Sequence, residues 1–220
     1  MPQPESSPLS PRQFQETLGI SDALLQRFVV YGEILQKWQS KINLVSPATL
    51  PDLWRRHFLD SAQLDSLIPS DAGVILDIGS GAGFPGLVLA LLRAEEDGST
   101  IHLVEANQRK ATFLAEVNRE IGAGAVIHKR RVESIHEFKA DVITARACAP
   151  MKKLLPLIHP ILDTDGYCLL LKGKNALEEL TESQKKWKMS VKNMPSQTSD
   201  SGMILNVRNL SPKNEHRSKS

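Results

Sequence analysis

Apolar residues recur at Leu24, Leu25, Phe28, Tyr31, Ile34, Leu35 and Trp38. This three-and-four spacing predicts an amphipathic helix, with Ser21 placed to cap its start. Asn43-Leu44-Val45-Ser46-Pro47 interrupts the pattern, and Leu53 to Leu67 predicts a second helix. From residue 73 the pattern changes. Short runs rich in Val, Ile and Leu stand at 73–78, 101–105, 125–128, 141–144 and 166–172. They alternate with stretches of helical spacing at 85–94, 108–121, 151–162 and 176–189, and Met203–Val207 suits a last strand. Strands alternating with helices of this length imply an α/β chain with a mainly parallel sheet of six or seven strands. The expected organisation is a mobile N-terminus over 1–12, rich in proline; a helical segment over 13–70 packed on the core; the α/β domain over 71–210; and a basic, disordered tail over 211–220.

The first of these strands, Val74-Ile75-Leu76-Asp77-Ile78, runs into Gly79-Ser80-Gly81-Ala82-Gly83-Phe84-Pro85-Gly86. Glycine serves where a backbone turns with positive φ or approaches a ligand closely, and the amides opening the next helix attract an anionic group. A nucleotide-type pocket is expected here. A dinucleotide fingerprint needs Gly-x-Gly-x-x-Gly, but Phe84 occupies the third glycine's place. A P-loop needs a Gly-Lys-Ser/Thr ending, and no lysine follows. An acid-x-Gly-x-Gly-x-Gly strand ending instead resembles the opening of S-adenosylmethionine-dependent methyltransferases, and it makes Asp77, Gly79, Gly81 and Gly83 candidates for holding that cofactor. Ile101-His102-Leu103-Val104 ends in Glu105, 22 positions past Gly83, where doubly wound folds place an acid on ribose hydroxyls. A carboxylate there also suits a cationic sulfonium better than a phosphate-rich ligand.

Composition narrows the picture modestly. The chain of 220 residues is 41% hydrophobic with a net charge of +2, enough for a core and too neutral to imply nucleic-acid binding by itself. The distribution of charge says more: Lys185, Lys186, Lys188, Lys192, Arg208, Lys213, Arg217 and Lys219 face only Asp200 and Glu215 in the last stretch, and Lys129-Arg130-Arg131 and Arg109-Lys110 form further basic groups. Such patches attract polyanions, although solvated surface lysines look the same. The tail is expected to add salt-sensitive affinity for a polyanion. Cys148 and Cys168 lie among apolar neighbours with no metal-ligand or disulfide spacing, so two buried reduced thiols and no metal are expected. With no signal pattern and no membrane-length apolar run, a cytoplasmic protein is expected.

The surroundings of the glycine loop carry a more specific resemblance. Asn43-Leu44-Val45-Ser46 and Arg56-His57-Phe58-Leu59-Asp60-Ser61 precede it, and the loop itself continues as Gly83-Phe84-Pro85-Gly86. Asn107-Gln108-Arg109-Lys110-x-x-Phe113-Leu114, Arg131-Val132-Glu133, Arg146-Ala147 and Leu171-Lys172-Gly173 follow. In this order they resemble the bacterial small-subunit ribosomal RNA guanine-N7 methyltransferase family, also called glucose-inhibited division protein B. The resemblance covers roughly residues 20 to 175 and fades beyond Lys174. It implies a Rossmann-like class I methyltransferase fold, S-adenosyl-L-methionine as cofactor, and 16S ribosomal RNA as partner, either naked or in a pre-assembled small subunit, with the protein acting as a monomer.

The resemblance also implies residue roles. The Gly79 backbone lies against the methionine part of the cofactor, Phe84 contacts it at the loop's end, and Val132 and Glu133 flank the adenine. Phe84 departs mildly from the family, which often has another apolar residue there. Arg146 belongs to the cofactor or active-site region and is kept as a site residue, with a structural ion pair as the alternative. Arg56, His57, Asp60 and Ser61 either line the RNA-facing side of the cleft or fix the N-terminal helix to the core. Lys172 is a further candidate for RNA phosphate. Guanine N7 carries an in-plane lone pair and no proton, so no essential acid–base pair is expected, and the sequence offers none. Two other functions stay open from sequence: a methyltransferase of this fold acting on a small molecule or protein, and a non-catalytic RNA-binding assembly factor.

Overall fold

The computed structural model describes residues 7–94 and 98–213. Seven strands form one sheet: β1 (Val74–Ile78), β2 (Thr100–Val104), β3 (Val126–His128), β4 (Ala140–Arg146), β5 (Leu162–Lys172), β6 (Trp187–Pro195) and β7 (Met203–Pro212), in the order β3-β2-β1-β4-β5-β7-β6. The first five run parallel, whereas β7 is antiparallel to β5 and β6 to β7. Strand order reverses between β1 and β4, the crevice where open α/β sheets bind ligands.

Alternate strand residues serve opposite faces, as the two-residue period of a strand requires. Ile75, Leu103, Val142, Leu169 and Leu171 join one core, which is covered by α2 (Asp22–Gln39), α4 (Gly86–Leu92) and α5 (Gln108–Glu120). Leu76, Val104, Ile143, Leu170 and Leu205 join the other, covered by α6 (Met151–Ile158) and α7 (Ala176–Gln184).

The N-terminal segment packs on the first face through aromatic rings. Phe28 meets Phe14 at 5.1 Å and Phe58 at 5.4 Å, and Tyr31 stacks on Phe84 at 5.4 Å. The glycine loop therefore rests directly on α2. The expected mobile start gives way sooner than proline content suggested. Helix α1 (Pro11–Leu18) begins at Pro11, with Ser10 and Gln13 closing a capping box, because proline is well suited to the first helical turn. Residues 1–6 lie outside the described residues.

Three other expectations need correction. The helix expected over Leu53 to Leu67 is a broken path: a wide π turn over Trp54–Leu59, a short helix α3 (Asp60–Ala62) and a 3-10 turn over Asp65–Leu67. The helix expected over 176–189 ends at Gln184, and Trp187 begins β6, whose alternating side chains pair it to β7. The basic tail expected from 211 starts later, since Ser211 and Pro212 still belong to β7 and the Lys213 amide bonds the Lys186 carbonyl at 2.8 Å. What remains of the tail, 214–220, lies outside the described residues.

Candidate active site

Two cavities adjoin at the carboxyl ends of the parallel strands, and Ala147 and Cys148 line both. The first measures about 350 Å³ and is lined by Gly79 and Gly81 after β1, Glu105 after β2, Arg130 to Glu133 after β3, and Val104 and Leu157. The second measures about 480 Å³ and is lined by Arg56, Asp60, Arg146, Lys172, Glu179 and the β6–β7 connection from Ser196 to Gly202.

Local geometry explains the first cavity. Gly79 has φ +66°, and a Cβ there would run into the Cys148 sulfur. Only glycine lets the β1 and β4 loops close on one another. The Glu105 carboxylate ties the rim together, accepting the Gly81 amide on Oε2 at 2.9 Å and the Asn107 amide on Oε1 at 2.7 Å. Val132 and Glu133 sit in a 3-10 turn on the facing wall, Val132 buried and Glu133 exposed.

Other sequence candidates have inward roles. Asp77 is fully buried; its Oδ1 accepts the Thr144 hydroxyl at 2.9 Å and its Oδ2 accepts the Gly86 amide at 3.2 Å. The helix start expected to hold an anionic ligand group is thus met by the chain's own acid. Burial raises that carboxyl to about 6 despite these bonds. Gly83 turns toward Tyr31 and Leu87 rather than into the cavity. Phe84 is 3% exposed, lies between Tyr31 and Arg146, and is not among the residues lining either cavity.

Arg146 organises the second cavity. Its guanidinium carbon lies 4.8 Å from the Phe84 ring centre, Nη1 donates to the Arg56 carbonyl at 3.1 Å and to Asp60 Oδ2 at 3.4 Å, and Nη2 donates to His57 Nδ1 at 2.8 Å. With Nδ1 accepting, His57 Nε2 carries the proton and donates to the Thr49 hydroxyl at 2.7 Å, which in turn donates to the Ser46 carbonyl at 2.9 Å. His57 and Asp60 therefore fix the N-terminal segment to β4 through Arg146, the Ser61 hydroxyl donates back to the His57 carbonyl within that segment, and Arg56 and Asp60 line the cavity. Lys172 also lines it, with Nζ donating to Ala149 O at 2.7 Å and Glu179 Oε2 at 3.0 Å. Arg109 and Lys110 open a neighbouring hollow with Lys41, where Arg109 donates to the Lys41 carbonyl at 3.0 Å.

Sequence reading missed Glu179, Thr49 and the whole Ser196–Gly202 connection, although its Ser/Gly-rich stretch between alternating runs is a hairpin signal. It also expected both thiols buried. Cys168 is, but Cys148 is exposed at the shared wall, because Ala147 at φ +49° turns the chain out of β4. Among the described residues no group of three or more His, Cys, Asp or Glu is placed to hold a metal, and no helix is long and apolar enough to cross a membrane.

The His57 environment sets a pH dependence. Burial first, then the Arg146 and Arg56 charges, lower it from 6.5 to about 3. Between these values the unfolded chain binds a proton that the folded chain does not. The stability owed to neutral His57 is therefore full above pH 6.5 and falls as pH drops toward 3. Asp77, raised from 3.8 to about 6, acts in the opposite sense: its contribution is present below pH 3.8 and is lost as pH rises through 6. Comparison with a His57→Gln chain isolates the histidine. Urea midpoints are expected to fall less steeply below pH 6.5 in that variant, and equal slopes would remove His57 as the cause.

The rRNA small subunit methyltransferase G family model matches residues 24–204. Relatives bearing the name ribosomal RNA small subunit methyltransferase G include that of Rhodospirillum centenum, 46% identical over 91% of this chain and 91% of its own length. That of Paramagnetospirillum magneticum is 44% identical over 92% and 97%. Among solved structures, the O-methyltransferase from Bacillus cereus in complex with SAH aligns with a TM-score of 0.57 at 14% identity, covering 90% of this chain and 96% of that one. A SAM dependent methyltransferase from Aquifex aeolicus gives 0.57 at 12% identity, covering 80% and 97%. These two likenesses concern the fold. The family follows from the sequence relatives and from the span of the family model: the chain belongs to the rRNA small subunit methyltransferase G family.

Proposed function

We propose that the protein transfers the methyl group of S-adenosylmethionine to N7 of a guanine in 16S ribosomal RNA, acting in the cytoplasm as a monomer on RNA of the small subunit. The observation that carries this reading is the pair of cavities that share Ala147 and Cys148 in their walls, which suits a donor on one side and an acceptor on the other.

The residues of the first cavity fit the cofactor. A Cβ on Gly81 would meet only the Gly79 carbonyl, at 3.7 Å, so the loop leaves its space open. Val104, Val132 and Leu157 offer apolar walls for an adenine. Each Glu105 oxygen accepts a single amide and keeps lone-pair capacity for a ribose hydroxyl. Bound there, S-adenosylmethionine supplies an already activated methyl group.

The second cavity suits an acceptor that needs no deprotonation. Its two carboxylates are engaged: Asp60 by Arg146, Gln63, Ser196 and Thr198, and Glu179 by Lys172 and the Met151 amide. Neither is a free general base, and guanine N7 requires none. What remains for the chain is to align the acceptor and exclude water, and orientation of this kind can supply about 7–11 kcal/mol of a barrier. Mapping 7-methylguanine by base-specific cleavage in 16S RNA from a deletion strain tests the reading. Loss of one modified position, restored by the gene, is expected. An unchanged pattern would refute the assignment.

A further inference from the structure

The connection from Ser196 to Gly202 forms one wall of the acceptor cavity, and its hydroxyls divide into two sets. Ser196 and Thr198 are spent on Asp60 Oδ1, at 3.2 and 2.6 Å. The Thr198 carbonyl accepts Arg56 Nη1 at 3.2 Å, and Gln63 accepts the Gln197 amide at 3.0 Å. These bonds latch the turn to the N-terminal segment. Gly202 closes it, its amide donating to the Ser199 carbonyl at 3.0 Å.

Ser199 and Ser201 line the same cavity, and among the described residues neither hydroxyl has a protein partner. The Arg56 guanidinium, also facing the cavity, makes only its Thr198 bond among the described residues. Two uncommitted hydroxyls and most of a guanidinium fork thus line one cavity. RNA offers phosphate oxygens to such donors and a 2′-hydroxyl that both donates and accepts.

We propose that the 196–202 turn is an RNA clamp: Ser199, Ser201 and Arg56 hold the sugar-phosphate of the nucleotide being methylated, and Asp60 is the positioning residue that holds the turn over the cavity. The clamp rests on the RNA reading above.

The test is steady-state methyl transfer to small-subunit particles from a deletion strain, with cofactor affinity measured separately by calorimetry. The Ser199→Ala/Ser201→Ala chain is expected to raise KM for the particle about tenfold, with kcat and cofactor affinity unchanged. The Ser199→Thr/Ser201→Thr chain, which keeps both hydroxyls, is expected to restore the wild-type KM. Thr198→Val, which removes only the latch, is expected to raise KM in the same way while melting as a folded protein. A wild-type KM in the double alanine chain overturns the clamp alone, as does a loss of cofactor affinity in place of a KM change. Absence of transfer by the wild-type protein overturns the RNA reading and the clamp together.

Discussion

A Gly81→Asp chain is expected to fold and to lose S-adenosylmethionine binding by at least about a hundredfold, since the new side chain occupies the space the ligand needs and its carboxylate loses solvation when the ligand closes over it. Gly81 has φ +58°, a conformation that costs most L residues about 1–2 kcal/mol but that Asp and Asn visit more readily. Its Cβ direction is open, with only the Gly79 carbonyl within 4 Å. The new carboxylate therefore enters the cavity beside Glu105, whose Oε2 already lies 2.9 Å from the Gly81 nitrogen. It fills space meant for ligand and sets two negative charges at one rim. Gly81→Asn separates the causes, having the same shape without the charge, and is expected to bind measurably better than the aspartate chain. Calorimetry gives the affinities. Melting temperatures within about 2–4 °C of wild type, the shift for roughly 1 kcal/mol in a chain of this size, show that the fold is kept. Undiminished binding in a folded Gly81→Asp chain would move the cofactor out of the glycine loop.

What the sequence could and could not reveal follows from the range of the constraints. The β1 loop and Glu105 were legible because strand, turn and acid are consecutive or regularly spaced, and each limits the residue types that fit. Val132 and Glu133 came through the family resemblance and lie on the facing wall. Phe84 and Asp77 came by similar routes, yet both turn inward. The partners that turn them, Tyr31 and Arg146 for Phe84 and Thr144 for Asp77, are far away in sequence and reach them only through the packing of α2 and β4. The β6 strand was hidden differently. The helical pattern of α7 runs into Trp187-Lys188-Met189-Ser190-Val191, whose two-residue alternation becomes decisive only once β7 offers an edge to pair with. The second cavity was least legible, because its walls come from residues 56–60, 146–150, 171–179 and 196–203, and no short window contains more than one of these walls.

That non-local character makes Arg146 the position where fold and chemistry are most tightly joined. An Arg146→Met chain is expected to melt about 6–12 °C lower. Its side chain is 16% exposed and serves His57, the Arg56 carbonyl and Asp60 at once. Methionine keeps the contact with Phe84 and removes every donor. His57 Nδ1 and one Asp60 oxygen are then left buried without their cation, a loss of about 3 kcal/mol, and each kcal/mol shifts the melting point by about 2–4 °C in a chain of this size. Lysine is not a conservative alternative, since one ammonium cannot reproduce a planar fork directed at three acceptors, so Arg146→Lys is expected to fall close to the methionine chain. Cofactor binding decides what else the arginine does. It lines the acceptor cavity and not the glycine-loop cavity, so both variants are expected to bind S-adenosylmethionine at temperatures where they remain folded, while methyl transfer to the small subunit is lost. Cofactor affinity that falls with activity in a folded chain would instead place Arg146 on the donor side of the Ala147–Cys148 wall, the role that its family resemblance leaves open.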